Sequence, residues 1–251
     1  MEKLLVIDDV TLNYQTVTDE ITAIKNLSFD CNQGQFVSII GPSGCGKTTI
    51  LSLIAGILEP TYGKITLDGK KIVKSNDQLG YMLQKDQLFP WRTIEKNVYL
   101  PLEVKKIATA ENKKLALDLL KKYGLFEFRK NYPDQLSGGM RQRVALIRTL
   151  VFSPKLLLLD EPFSALDYQT RLSVCDDVYK IIKAENKTAV LVTHDISEAI
   201  SMSDKIIVLT TRPAKVKSIH YPDIEGDSPL RKRESKNFGV WFEKIWKELN
   251  E

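Results

Sequence analysis

Apolar positions in this chain come in short runs separated by polar turns. Leu4–Ile7 and Val10–Tyr14 read as two strands, Ile24–Cys31 as a third with partial alternation, and the apolar run Phe36–Ile40 as a short buried strand. Residues 47–58 have helical length and an apolar face, and Lys64–Ile72 carries a hairpin turn at Asp68-Gly69. The character changes over residues 91–135, which read as a helical insertion. Within it, Glu111–Tyr123 places Leu115, Leu119, Leu120 and Tyr123 on one helical face, with Gly124 as a stop. Ser137 is a good N-cap for a helix running to about Phe152, ended before Pro154. Leu156–Leu159 then reads as a buried strand, Arg171–Ala184 as a helix, and Ala189–Thr193 and Lys205–Thr210 as two further buried strands. Apolar strands alternating with helices predict an α/β fold with a parallel sheet covered on both faces.

The C-terminal stretch Phe238–Leu249 carries Phe238, Trp241, Phe242, Ile245, Trp246 and Leu249 at helical spacing. One reading is a membrane-surface or regulatory helix; the favoured one is a helix packed on its own domain, because Glu243, Lys244, Lys247 and Glu248 make a mixed polar face rather than a basic one. The run Arg231-Lys232-Arg233 reads as solvated loop, and His220 has no context that assigns it a role.

Composition adds limits. With 251 residues, 43% hydrophobic and 27% charged, the chain is an ordinary globular one, long enough to bury a core. Its formal charge of +4 is too mild to argue for a nucleic-acid partner. Three scattered cysteines, Cys31, Cys45 and Cys175, suggest neither a disulfide framework nor a zinc cluster. The opening residues do not read as a signal peptide, and no apolar run reaches the roughly 20 residues of a membrane span. A membrane role would therefore run through a partner.

Gly41-Pro42-Ser43-Gly44-Cys45-Gly46-Lys47-Thr48, between a buried strand and a helix, fits the phosphate-loop pattern. Glycines let backbone N–H groups curl round phosphate oxygens, and the helix N-terminus adds its positive dipole end. Lys47 suits the β- and γ-phosphates of a nucleotide, and Thr48 offers Mg²⁺ a hydroxyl. Asp160, at the C-terminal end of an apolar strand, suits Mg²⁺, and Glu161 suits a general base for attacking water. Ser137-Gly138-Gly139 opens a second glycine-rich helix N-terminus, a second anion site. Two phosphate cradles in one chain make sense if a γ-phosphate is shared between two copies. Cys45, beside a helix N-terminus and Lys47, is expected to have a thiol pKa below about 8.5 and to react fastest of the three cysteines. The alternative is a small loop residue with its thiol turned into the core.

In the order and spacing of these segments, from residue 4 to about 215, the sequence resembles the ATP-binding cassette (ABC) ATPases. On that resemblance 41–48 is the Walker A loop, 156–161 is Walker B, and Leu136–Met140 is the signature, with Met140 where Gln is common. Gln84 is the Q-loop residue that senses Mg²⁺ and the attacking water, and Ser164–Asp167 is the D-loop. His194 is the γ-phosphate switch, and Thr49 joins the phosphate contacts. Tyr14 either stacks on adenine or is simply core. Pro90-Trp91, the LSGGMRQRV run and Thr211–Lys215 are similar to the nitrate, sulfonate and taurine branch of importer ATPases. Gln15–Ile21 looks longer than usual for this family.

The resemblance implies a P-loop NTPase core with an antiparallel β subdomain and an α-helical subdomain. The cassette would span residues 4–215, the helical subdomain about 85–152, and a C-terminal extension 216–251 with an amphipathic helix about 236–250. It implies ATP and Mg²⁺, a homodimer sandwiching two ATPs, two membrane-spanning permease subunits at the cytoplasmic face of the membrane, and an extracytoplasmic solute-binding protein. Phe89–Thr93, with Arg92 where an apolar residue is commoner, would lie at the permease contact. A soluble ABC ATPase not coupled to transport is the alternative; a P-loop kinase would have no use for LSGGM or His194.

Overall fold

The computed structural model describes residues 2–15, 19–74 and 76–250. Two sheets organise the chain. The first is antiparallel, formed by β1 (Lys3–Gln15), β2 (Glu20–Asn32), β4 (Tyr62–Leu67) and β5 (Lys70–Lys71), in the order β2-β1-β4-β5. Leu4–Ile7 and Val10–Tyr14 belong to one strand, because the chain bulges between Ile7 and Val10 without leaving the sheet. Asp9 sits there at φ 49° and Asn26 opposite at φ 49°, and Asn26 Nδ2 donates to Asp9 Oδ1 at 2.7 Å. The polar pair that interrupts the apolar pattern is thus the seam of paired irregularities. Gln15 pairs with Glu20, and residues 16–18 of the long Gln15–Ile21 connection lie outside the described residues.

The second sheet has the order β10-β9-β3-β8-β7-β6. Its strands are β3 (Phe36–Ile40), β6 (Leu79–Met82), β7 (Leu156–Asp160), β8 (Thr188–Val192), β9 (Lys205–Leu209) and the edge strand β10 (Val216–His220). All pairings are parallel except β10 with β9. Every residue of β3, β7, β8 and β9 is buried, as expected for strands covered on both faces.

Helix α1 (Lys47–Ile54) fills the space between the sheets, and its side chains join those of β1, β2 and β4 in one core. It stops short of residue 58, where Gly56 turns the chain at φ 70°. The other face carries α4 (Gly138–Leu150) and α5 (Tyr168–Ala184), whose apolar faces form a second core with β7 and β8. The insertion consists of α2 (Ile94–Val104) and α3 (Ala110–Lys122), packed with α4 around Val98, Leu102 and Leu120. Pro101 inside α2 lacks a backbone donor, which blurred this helix in the sequence. The face of α3 is rotated from expectation: Ala116 and Leu120 are buried, whereas Leu115 is exposed.

Helix α6 (Ile196–Met202) joins β8 to β9, and after β10 the chain ends in α7 (Pro229–Glu234) and α8 (Lys236–Asn250). The basic run 231–233 is not loop. It forms α7, capped by the Ser228 hydroxyl, with Lys232 buried. Helix α8 packs on the domain through Ile245, with Phe238, Trp241 and Leu249 partly buried beside it, but Phe242 and Trp246 of the expected face are exposed. His220 ties β10 to α8, with Nε2 2.7 Å from Glu248 Oε2 and 2.9 Å from Ser218 Oγ.

Candidate functional site

The C-terminal ends of β3, β7 and β8 bring three loops together. After β3, Gly46 occupies φ 120°, a conformation open to glycine and costly for residues with a Cβ, and it starts α1 with no side-chain cap. No acidic residue occupies the first turn, so its amides face an anion without competition. Lys47 is buried, and its Nζ donates to the carbonyls of Gly41 at 2.9 Å and Pro42 at 3.1 Å. Arg212 Nη2 braces the loop at Gly44 O, 3.0 Å away.

Thr48 Oγ1 donates to Asp160 Oδ1 at 3.2 Å, joining the phosphate loop to the end of β7. Burial raises the Asp160 pKa and Glu161 adds to the effect; Thr48, Tyr81 and Lys47 oppose it. Tyr81 OH lies 3.4 Å from Asp160 Oδ2. A buried carboxylate facing a threonine hydroxyl beside a phosphate loop is a hard-oxygen donor set, which fits Mg²⁺. Glu161 turns sharply after the strand, at φ 43°, with its N–H donating to Val192 O at 2.9 Å. Non-glycine residues in this region cost on the order of 1 kcal/mol, a strain that recurs at functional sites. The turn sets Glu161 Oε2 3.0 Å from Nδ1 of His194, which follows β8.

Gln84 Nε2 contacts Ser164 Oγ at 3.4 Å, and Ser164 Oγ donates to Glu161 O at 3.0 Å. The predicted Q-loop and D-loop are thus linked to the main chain of Glu161. The Ser137 side chain accepts from Met140 N–H at 3.3 Å as an N-cap. A Cβ on Gly139 would lie 2.7 Å from Val174 Cγ2, so a side chain there would push α4 off α5. Helix α4 packs on α2, α3, α5 and β6, whereas α1 packs on β7 and β8. No hydrogen bond among the described residues joins 41–49 to 137–139. The chain assembles one phosphate site with its carboxylates and histidine, and carries its second glycine-rich helix start on a different element.

One expectation changes. Cys45 is buried, packed in the core under α1, and burial raises its thiol pKa despite Lys47 nearby. The thiol points inward, so loss of hydration outweighs the lysine and the helix end. Arg92 is paired within the chain, its Nη2 lying 2.8 Å from both carboxylate oxygens of Glu103. The exposed group is Trp91, 72% exposed and stacked on Phe89 with ring centroids 5.0 Å apart. Tyr14 is 40% exposed, which removes the core reading.

Thr193 and Asp195 flank His194, and Glu198 lies one helical turn on. Asp195 Oδ1 caps α6 by accepting from Ser197 N–H at 2.7 Å and Glu198 N–H at 3.1 Å. The spacing Asp195…Glu198 ahead of an apolar stretch was the available signal for a helix start.

A phosphate loop, a strand-end carboxylate pair and a histidine on a parallel sheet define a nucleoside-triphosphatase site of the P-loop type. The ABC transporter family pattern matches residues 24–164, and the chain belongs to that family. It is 48% identical over 246 residues to YtlC, an uncharacterized ABC transporter ATP-binding protein of Bacillus subtilis (strain 168), covering 97% of this chain and 95% of the relative. It is 38% identical over 233 residues to SsuB, the aliphatic sulfonates import ATP-binding protein of Bacillus cereus, covering 92% of this chain and 90% of the relative. The ATP-binding cassette MJ0796, solved as a dimer in a post-hydrolysis state with ADP and Pi, superimposes with TM-score 0.74 at 34% identity, over 88% of this chain and 99% of that one. No helix among the described residues is long and apolar enough to cross a membrane.

Proposed function

We propose that this chain hydrolyses ATP to energise an importer of small solutes of the nitrate, sulfonate and taurine kind, working as a cassette of residues 4–215 with a C-terminal extension. The observation that supports this best is the convergence of Lys47, Thr48–Asp160 and Glu161–His194 on one strand-end site. In this reading Gly41–Thr49 wraps the ATP phosphates, Lys47 releases its carbonyls to contact the β- and γ-phosphates, and Tyr14 stacks on adenine. Thr48, Asp160 and Gln84 hold Mg²⁺, which when bound offsets charge on the phosphates. Glu161 accepts the proton of the attacking water, and His194, held against Glu161, contacts the γ-phosphate. Ser137–Gly139 of a second copy closes over the same γ-phosphate. ATP then favours the closed dimer through contacts that only the closed state offers, and hydrolysis releases it. Membrane-spanning subunits at the cytoplasmic face, served by a solute-binding protein outside, would convert closure into transport.

Glu161→Gln is the test. Gln keeps the shape and cannot take the proton, so turnover is expected to fall at least about 100-fold while ATP still binds and traps a dimer on size-exclusion chromatography. A variant that stays monomeric with near-normal turnover would overturn the role. Co-purification of the wild-type chain with a multi-span membrane protein checks the coupling; its absence from native membranes would favour a soluble ATPase.

A further inference from the structure

Residues 210–215 contain the Thr211–Lys215 run, continue from β9 and touch three parts of the molecule. Thr210 closes the segment on itself. Its N–H donates to Lys215 O at 3.0 Å, and its Oγ1 accepts from Lys215 N–H at 3.0 Å and donates to Thr211 O at 2.9 Å. Ala214, fully buried, joins the segment to the antiparallel sheet: its N–H donates to Ala23 O at 2.9 Å and its O accepts from Lys25 N–H at 3.0 Å. β9 is itself paired with β3, so this backbone is fixed against both sheets. The third part is the phosphate loop. Arg212 reaches out from the frame, and its Nη2 donates to Gly44 O at 3.0 Å. The loop also seats on the same segment, since a Cβ on Gly46 would lie 3.7 Å from Ala23 O and 3.8 Å from Ala214 Cβ.

The tip of the phosphate loop is open to water. Ser43 and Gly44 are exposed, and Gly44 sits at φ 73°. Inside the loop, Cys45 N–H donates to Pro42 O at 3.2 Å, and Lys47 Nζ holds the carbonyls of Gly41 and Pro42. In the reading above, Lys47 gives up those carbonyls for phosphate. The Arg212 bond comes from outside the loop and is independent of that movement. A peptide unit is planar, so the peptide joining Gly44 to Cys45 is held at both ends, its carbonyl by Arg212 and its amide by Pro42 O. Fixing a loop in its bound shape lowers the cost of ordering it when a ligand arrives.

We propose that Arg212 is a positioning residue for the phosphate loop, holding it in the shape that takes up phosphates before a nucleotide arrives. The proposal rests on residues 41–49 being the nucleotide site, as set out above. The effect falls on affinity, because a loop that spends less time in its binding shape weakens binding by that fraction and leaves the bound site unchanged.

Cys45 reports the loop directly. Its thiol is buried beneath it, with Sγ 3.0 Å from the place a Cβ on Gly41 would take, and Cys31 and Cys175, buried elsewhere, are internal controls. In the full-length chain, Arg212→Ala is expected to speed maleimide labelling of Cys45 about tenfold, the scale of one charge-assisted hydrogen bond removed from a local opening, with Cys31 and Cys175 unchanged on peptide mapping. Burial raises the Cys45 thiol and Lys47 and Arg212 act against it, so loss of the charge alone would slow the reaction. Calorimetric titration should show ADP and MgATP bound about fivefold more weakly, with kcat within about twofold of wild type. Arg212→Lys keeps a cationic donor for Gly44 O and should recover most of both effects. Arg212→Gln, which loses the charge, carries the test should Arg212→Ala fail to fold. Unchanged nucleotide affinity in a folded variant overturns the proposal whatever the labelling. Weaker binding with unmoved Cys45 labelling overturns it too, since Arg212 would then touch the nucleotide itself. So does faster labelling of all three cysteines with a lowered Tm, which marks a general stabiliser. If the wild-type chain binds neither nucleotide, the site reading fails, while Cys45 labelling still decides whether Arg212 holds the loop.

Discussion

The strand-end site and the outer edge of the helical insertion meet water in opposite ways. At the first, Lys47, Asp160 and Thr193 are buried polar groups, each with a partner inside the chain. At the second, Trp91 is 72% exposed, with one face covered by Phe89, and the nearby charge, Arg92, is neutralised by Glu103. Phosphate chemistry needs charges fixed in advance, since a donor that must reorganise loses much of its effect. A docking surface needs apolar area that the chain leaves uncovered, with local charges already satisfied. The two regions are joined by Gln84, which contacts Ser164, and by Arg141 and Arg148, which hold Asp86 and Gln87.

The largest effect is expected where the frame is tightest. His194→Ala should lower turnover about 100-fold with ATP affinity little changed, measured by steady-state hydrolysis and nucleotide titration. Equal loss of ATP and ADP binding would instead make the histidine structural and erase the contrast. Next comes the exposed edge. Trp91→Ala should weaken association with the membrane subunits about tenfold or more, as expected for an exposed aromatic at the centre of an interface. A photo-crosslinker at position 92 should capture a multi-span membrane protein in native membranes, and capture of cytosolic chains alone would remove the docking role.

A smaller effect concerns Glu198, whose carboxyl is raised from 4.5 to about 7 by burial. Between those pH values the folded chain binds more protons than the unfolded one, so this group's contribution makes stability fall as pH rises through the window. Asp195, Arg171 and Arg233 are the charges around it. Glu198→Gln lacks this slope, so its denaturation midpoint relative to wild type should climb from about pH 4.5 to about pH 7.5. A flat difference would mean that Glu198 is fully solvated. The smallest effect is expected at Cys45. With its thiol buried and its pKa raised, maleimide labelling should be slow and little altered by MgATP. Fast labelling that MgATP blocks would show that the loop opens its core to water.

Patterns with short range were legible in the sequence. Phe36–Ile40 and Leu156–Leu159 read as buried strands because burial on both faces leaves almost no polar position in the run. Ser137 read as an N-cap because capping is settled within three residues. Lys47, Thr48, Asp160 and Glu161 stand out because a phosphate loop and a strand-end acid dictate residue types at fixed spacing.

Where side chains of equal local promise point depends on how the whole chain packs. Cys45 has a lysine and a helix end for sequence neighbours, yet the loop rotates its thiol into the core, and solvation depends on what packs above it. Leu115 and Ala116 differ by one position on α3, and the rotation of the helix against α2 and α4 buries the smaller side chain. Asp9 and Asn26 interrupt two apolar patterns, and pairing across the sheet turns the interruptions into one bulged ladder. Glu198 is buried, and the charge of Arg233, 35 positions along the chain, lowers its carboxyl against the rise from burial, a separation at which no local pattern operates. Candidate chemistry was legible because it is written in residue types at short spacing. Packing decided which groups are wet, charged and held in place, because burial is a property of the whole fold.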